Sequence, residues 1–307
     1  MGALVIPTCY QRAIWKRYRR LRTLLPKEAE EVKGRLLNES QVAGVVDLLV
    51  RSPVLFNVIA IDMATQTTES VITHRDGQAG KLLLSVGPEH RPSMIAQMQE
   101  LSRRLRGTPP QLYTQSVLIF ELVLKAIQHS TLLYSQLLPG ELAEFIWVFD
   151  AKDKRRLTNW EEWWKIMIVP MLQSIALRVP IIGLQEGDYS YFDRVFQIET
   201  SDWFNKATEN KEQFGASLAL ILKKLAFESG VNYGLELVDI LTNAIRRALS
   251  GNLGQAGWGS ISKLIPKLRD RHRVHLVSFV EPQANSNLPY AAVIRKLDRY
   301  SRPPLVD

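Results

Sequence analysis

Aspartates at the ends of apolar runs are the residues whose type and position could do chemistry in this sequence. Asp62 ends the run Leu55–Ile61, and Asp150 ends the run Phe145–Phe149. In an open α/β sheet, residues just beyond the carboxyl ends of strands line the ligand crevice, and an aspartate there can bind Mg²⁺. Turn formation or helix capping is the more common role of a single aspartate. Two further charged residues follow Asp150 within three positions and favour a functional role there, whereas Asp62 has no such support.

A second group of polar residues lies on the predicted helix 234–250. Asp239, Asn243 and Arg246 follow one another at helical spacing and therefore share one face, while the other positions are mostly apolar. A helix that lines a binding groove has this pattern. An ordinary amphipathic surface helix has it too, so periodicity alone leaves both interpretations open.

A third group is the sequence Glu30-Glu31-Val32-Lys33-Gly34. Carboxylates beside a lysine and before a glycine could provide a metal ligand and a phosphate contact. A solvated run of charges is the more common meaning of such a segment, and both interpretations stay open.

Composition indicates a polyanionic partner. The 307 residues carry a formal net charge of +8, which favours a phosphate-bearing partner such as nucleic acid and is also found in merely soluble basic proteins. The predicted helix 10–25 concentrates this charge on one face, which could follow a phosphate backbone or be solvated. Its basic residues are Arg12, Lys16, Arg17, Arg19, Arg20 and Arg22.

Several classes of site are missing from the sequence. It has no glycine-rich phosphate loop or dinucleotide fingerprint. Its single cysteine, Cys9, excludes an internal disulfide and a thiolate metal site. We find no run of about 18 apolar residues and no export signal, so we expect no membrane span and a cytoplasmic location.

The elements that must position the candidate residues alternate between strand and helix, which predicts an α/β fold. Strands are predicted at residues 2–7, 55–61, 145–149, 179–184, 194–200 and 274–280. Helices are predicted at 10–25, from Asn38 onward, through most of 66–138, and at 158–174, 212–226 and 234–250. The runs 55–61 and 145–149 are apolar without alternation, so we expect interior strands of one mixed sheet, covered on both faces by helices. We expect residues 1–307 to form a single domain with a helical insertion at 66–138.

Taken in order, several segments resemble a bacterial family, the domain of unknown function numbered three thousand eight hundred. The matching segments are Glu31–Leu37, Phe56–Asp62, His74–Gln78, Phe145–Asp153, Trp160–Trp164 and Leu235–Leu249. The resemblance implies a ribonuclease H-like fold in which Glu31, Asp150 and Asp239 form one acidic cluster. It further implies that this cluster holds Mg²⁺ or Mn²⁺ for phosphodiester cleavage, with Lys33 and Asn243 orienting the substrate or the carboxylates. Members of the family also suggest a phage-defence or mobile-element context.

The chain departs from the family at its beginning. Such proteins start with a strand that carries an Asp-Glu-Ser-Gly motif, whereas Gly2–Pro7 is similar to their next strand. We therefore expect a domain truncated at its N-terminus relative to the family, through a start assigned too late or a truncated copy. Two alternatives to a nuclease follow: a non-catalytic module that binds nucleic acid or protein, and an inactive copy. DNA or RNA as the ligand, and the oligomeric state, are left open.

Overall fold

The computed structural model describes residues 1–84, 86–88, 90–151, 153, 158–164, 168, 172, 184–192, 221–266, 274–280 and 288–301. The strands are β1 (Gly2–Val5), β2 (Lys27–Glu28), β3 (Glu31–Val32), β4 (Leu55–Ile61), β5 (Ile146–Asp150), β6 (Lys224–Glu228) and β7 (Val274–Val277). The α-helices are α1 (Thr8–Arg22), α2 (Glu39–Leu49), α3 (Thr68–Leu84), α4 (Pro92–Arg106), α5 (Pro110–Leu137), α6 (Asn159–Trp163), α7 (Tyr233–Leu249), α8 (Gln255–Trp258) and α9 (Ala291–Arg299). Four short 3₁₀ segments complete the described structure: Gly34–Leu36, Met63–Thr65, Pro139–Ala143 and Gly259–Leu264.

The central sheet is mixed, and β4 lies in its middle. The strand order is β1-β4-β7, with β1 antiparallel and β7 parallel to β4. Phe56 and Val58 pack into the cluster formed by α1, α2 and α7, whereas Ile59 packs against α5 on the other face. The predicted interior strand 55–61 is therefore confirmed. Its uninterrupted apolar sequence reflects helices on both sides.

The second predicted interior strand differs from the expectation in its surroundings. Residues 146–150 do form a strand, but in the described part of the chain it pairs only with β6, in parallel, outside the three-stranded sheet. Ile146 is 65% exposed and Val148 is also exposed, so the prediction that this run is covered on both faces was wrong. Trp147 and Phe149 alternate with them and pack into the core. Because the exposed and the inward-facing residues of this strand are all apolar, the sequence does not reveal that they alternate.

Strand β6 corrects another prediction. A helix was expected over residues 212–226, yet residues 224–228 form a strand. In that strand Leu225 and Phe227 pack inward while Lys224 and Glu228 are exposed. Buried and exposed residues therefore alternate with a period of two, as in a strand. The helical spacing of the preceding residues does not reveal this change of period. The earlier part of the predicted helix and the predicted strand 194–200 lie outside the described residues, as does nearly all of 179–184.

The helices predicted at 66–138 are confirmed as α3, α4 and α5, whereas their being an insertion stays a prediction. Helix α5 is, within the described ranges, the one helix long and apolar enough to cross a membrane by composition. However, 67% of its most apolar window is buried inside the protein, where it packs on β4. That burial is typical of a core helix.

Local signals in the sequence place several helix ends correctly. Asn38 caps α2 and forms a capping box with Gln41. Thr158 forms a capping box with Glu161 at the start of α6. Gly251 follows α7 with a φ of +73°, the left-handed conformation that commonly ends a helix at glycine. The described structure is thus mixed α/β, and the single-domain organisation stays a prediction.

Candidate carboxylate–lysine site

Charged residues from three distant parts of the chain act on one another in the structure. Glu31 and Lys33 belong to the segment that begins with β3, Asp150 ends β5, and Asp239 lies on α7. The charges of Glu31, Lys33 and Asp239 all contribute to the pKa of the Asp150 carboxyl group. These four residues, together with Asn243, are the ones that the sequence and the family resemblance singled out, and we call them the carboxylate–lysine site.

The hairpin that presents Glu31 has an unusual turn. Strands β2 and β3 pair through a two-residue connection, Ala29-Glu30. Both residues have positive φ values, +47° and +69°, as a type I′ hairpin turn requires. Neither is the glycine or asparagine that tolerates this conformation, so each costs about 1–3 kcal/mol. Arg22 donates a hydrogen bond to the carbonyl oxygen of Glu30 and helps to hold the turn.

Asp239 connects helix α7 to the segment that follows the hairpin. Its Oδ2 accepts a hydrogen bond from the backbone N–H of Gly34 at 2.7 Å, and its Oδ1 accepts one from Asn243 Nδ2 at 2.7 Å. Arg246 donates to the amide oxygen of Asn243. The polar face predicted for this helix is therefore real, and it contacts the protein itself. Asp239 and Asn243 orient one another and hold residue 34 against the helix.

The approach of this segment to α7 is close enough to require glycine. A Cβ atom on Gly34 would lie 2.6 Å from the Cα of Ile240 and 2.7 Å from the carbonyl oxygen of Asp239. Both neighbours are backbone atoms of a helix and cannot move aside independently. Only glycine therefore fits at position 34 without a shift of the backbone. This close approach also sets the position of Lys33, the residue immediately before it.

Glu236 joins these elements through several hydrogen bonds, and sequence reasoning did not single it out. It is 4% exposed and accepts hydrogen bonds from Arg22 Nε and Nη2 at 2.7 Å, from Tyr18 Oη at 3.0 Å and from the Val32 N–H at 2.9 Å. Burial of the Tyr18 hydroxyl raises its pKa, and the neighbouring Glu236 carboxylate raises it further. The available signal was the position of Glu236 one helical turn before Asp239, on the same polar stripe of an otherwise apolar helix.

The electrostatics of the site centre on Lys33. Its Nζ contacts Glu31 Oε2 in an ion pair, and this bond is the main cause that raises the pKa of Lys33, with smaller contributions from the charges of Asp239 and Asp150. Partial desolvation raises the pKa of Asp150; Lys33 lowers it, and the negative charges of Glu31 and Asp239 raise it further. The single ammonium group of Lys33 therefore offsets only part of the negative charge of the three carboxylates.

Oxygen atoms for a metal ion are available at this site in limited number. Across the described residues, no group of three or more histidine, cysteine, aspartate and glutamate side chains is arranged to hold a metal ion. Asp239 uses both carboxylate oxygens for Gly34 and Asn243. Glu31 has one oxygen outside its contact with Lys33, and the Asp150 carboxylate accepts no hydrogen bond from another described residue. Mg²⁺ often takes only one or two carboxylates, with waters and substrate phosphates as its other ligands, so Glu31 and Asp150 are the candidates among these residues.

Asp62, the other strand-end aspartate, has the ordinary role. Its Oδ1 accepts from the N–H of Ala64 at 3.0 Å and so caps a 3₁₀ turn, while its Oδ2 accepts from Tyr290 Oη at 3.1 Å. Two tryptophans at the C-terminal end of α6 are likewise structural. Trp164 is fully buried, and Trp163 donates to Ser116 Oγ at 2.8 Å.

A cationic surface lies on α1, the helix that leads into the hairpin. Ile14 and Tyr18 face the core, and the opposite face carries basic side chains that form no ion pair with a carboxylate elsewhere in the described ranges. The exposed members of this α1 cationic face are Arg12, Lys16, Arg17, Arg19 and Arg20. Arg22, which the sequence grouped with them, points inward to Glu236 instead.

Comparison of this chain with protein families, with curated proteins and with solved structures gives no match. The resemblance to the family named above therefore stays a prediction, resting on the segments quoted for it.

Proposed function

We propose that this protein binds nucleic acid and hydrolyses its phosphodiester bonds with Mg²⁺ or Mn²⁺ at the carboxylate–lysine site. The observation that carries the proposal is convergence. Glu31 forms an ion pair with Lys33, Asp239 accepts a hydrogen bond from the next residue, Gly34, and the charge of Asp150 acts on the same lysine. Carboxylates repel at close range, so packing alone gives little reason to gather them, whereas cation binding does. A ribonuclease H-like arrangement of the sheet belongs to the same proposal.

The roles differ among the residues. Glu31 and Asp150 would hold the metal ion, which when bound activates water and stabilises charge on the phosphate oxygens. Lys33 would contact a non-bridging phosphate oxygen of the substrate. Asp239 is a positioning residue, because its oxygens hold Gly34 and Asn243. It contributes its charge to the site while fixing the segment that carries Lys33.

Cleavage of oligonucleotides tests this function directly. We expect the full chain to cut single-stranded or double-stranded DNA or RNA in the presence of Mg²⁺ or Mn²⁺, and EDTA to stop the reaction. Asp150→Asn removes a ligand charge and should lower the rate at least about 100-fold, the scale of losing one strong transition-state contact.

Asp62→Asn is the matched control, because it changes the other strand-end aspartate and leaves an oxygen that can still cap the 3₁₀ turn. Its rate should stay within about threefold of the parent, as expected for a residue outside the chemistry. A folded, metal-loaded protein that cuts none of these substrates would refute the proposed hydrolysis. Equal cutting by Asp150→Asn would remove that residue from the site.

A second candidate is nucleic-acid binding without catalysis, and the α1 cationic face favours it. Its exposed cations, among them Arg12, Lys16, Arg19 and Arg20, can follow a phosphate backbone. This candidate does not require the carboxylates to bind metal. It agrees with Asp239 serving to hold the backbone.

Filter binding at several salt concentrations measures this interaction. We expect the affinity to fall steeply with salt. Changing Arg12, Lys16, Arg19 and Arg20 to glutamine should flatten the slope of log affinity against log salt by about 3–4 if each contacts one phosphate. The control changes four exposed arginines at α4, Arg91, Arg103, Arg104 and Arg106, two of which are paired with Glu100. A slope that both variants reduce equally would assign binding to net charge and not to α1.

A further inference from the structure

Trp15 lies at the edge of the α1 cationic face. Helical spacing puts it one turn after Arg12 and one turn before Arg19, so a cation lies on either side of it along the helix. Trp15 is half-buried, whereas Ile14 and Tyr18, which face the core from the same helix, are fully buried. Part of the indole ring is therefore open to solvent beside positive charge.

Contacts with the start of α7 hold the indole ring in place. The rings of Trp15 and Tyr233 meet edge to face with their centroids 6.0 Å apart, and Tyr233 makes a similar contact at 5.6 Å with the buried Tyr18. A Cβ atom at Gly234 would lie 3.6 Å from Cη2 of the indole, so the ring also packs close to the backbone there. An aromatic ring that is fixed before binding loses little conformational freedom when a ligand packs on it.

This combination of positive charge and aromatic surface suits a single-stranded nucleic acid. Cations along a helix attract any phosphate backbone, whether the nucleic acid is single-stranded or a duplex. A partly exposed ring among the cations adds affinity only for a base whose face is free, and in a duplex each base is already stacked on its neighbours. Basic side chains interleaved with aromatic rings are accordingly the pattern of surfaces that bind single strands.

We infer that Trp15 is a stacking platform for one unpaired base, which gives the α1 cationic face a contact with single-stranded nucleic acid that a duplex cannot make. The backbone of the strand follows Arg12, Lys16 and Arg19, and one base turns toward the start of α7 and stacks on the open part of the indole. This inference rests on the proposed nucleic-acid binding, and it does not require the carboxylates to hold a metal ion.

Fluorescence anisotropy with the full chain tests the stacking contact, with EDTA present to prevent cleavage. The probes are a labelled DNA strand of mixed sequence and the duplex of that strand with its complement. Trp15→Leu should weaken binding of the strand by about 5- to 150-fold, the loss of one base–aromatic stack, and leave binding of the duplex within about threefold. The slope of log affinity against log salt should not change, because an uncharged ring releases no counter-ions. Trp15→Phe keeps an aromatic face and should bind the strand within about threefold of the parent.

A control variant and a second readout accompany this measurement. Tyr191→Leu is the matched control, since Tyr191 is an aromatic residue outside α1 that is 54% exposed. It should bind the strand within about threefold of the parent, as expected for a surface change away from the contact. Photocrosslinking of the parent to the same strand, with 5-iodouracil in place of thymine, needs no substitution and decides the question even if Trp15→Leu does not fold. We expect the crosslinks to include Trp15.

A loss of strand affinity confined to Trp15→Leu, with duplex affinity and salt slope kept, supports the inference. Equal affinity of Trp15→Leu and the parent for the strand overturns it. An equal loss for strand and duplex, or an equal loss in Trp15→Phe or Tyr191→Leu, also overturns it, as do crosslinks that form only at other residues. In these cases binding by the parent leaves the proposed nucleic-acid binding standing. Failure of the folded parent to bind either probe at low salt overturns the inference and the proposed nucleic-acid binding together.

Discussion

Glu236→Ala is expected to lower the free energy of unfolding by about 3–5 kcal/mol, the cost of removing one partner from a buried ion pair. The substitution leaves the Arg22 guanidinium, the Tyr18 hydroxyl and the Val32 N–H without their shared acceptor inside the protein. Buried donors that lose their partner keep the full cost of desolvation. Chemical denaturation, with fluorescence and circular dichroism followed together, measures the change.

The effect should reach beyond stability, because Glu236 joins α1, β3 and α7. Its loss removes a contact that holds the hairpin on which Glu31 lies. Asp47→Ala is the control, since Asp47 is an exposed acid on α2, and its effect should stay within about 0.5 kcal/mol. A Glu236→Ala variant as stable as Asp47→Ala would show that the network contributes nothing to the fold.

Gly34→Ala is expected to cost about 1–3 kcal/mol through overpacking. The added methyl group would meet the backbone of α7 at Ile240 and Asp239, so the segment must move away from the helix. That movement would lengthen the hydrogen bond from the residue 34 N–H to Asp239. We therefore expect lower stability together with weaker Mn²⁺ binding, because the segment carrying Lys33 and Glu31 is displaced.

The chain offers a matched control for the glycine substitution. A Cβ at Gly77 or Gly80 in α3 would meet nothing within 4 Å. Alanine at such a helical position should stabilise the protein by about 0.5–1 kcal/mol, because glycine is the poorer helix former. Opposite signs at Gly34 and Gly80 are the expected result. Stabilisation at both positions would mean that the close approach at Gly34 is absent in solution.

The sequence by itself determined the elements whose signals are local. Strand β4 follows from its β-branched, uninterrupted apolar run. The starts of α2 and α6 follow from residues three positions apart that cap each other, and the end of α7 follows from Gly251. These interactions join residues that are near one another in the sequence, so they can be predicted from the local sequence pattern. The polar stripe of α7 is predictable for the same reason.

Tertiary structure alone decided what those polar residues touch. Helical spacing places Asp239 and Asn243 on one face, but it does not reveal that the backbone of Gly34, about 200 positions earlier, occupies that face. For the same reason the burial of Glu236 was not predicted. A carboxylate on a helix is expected to be solvated, and only the fold brings the distant Arg22 into contact with it. It also hid the exposed face of β5, since Ile146 and Trp147 are both apolar and only packing distinguishes them. Contacts between segments far apart in the chain depend on the whole fold, and no local period encodes them.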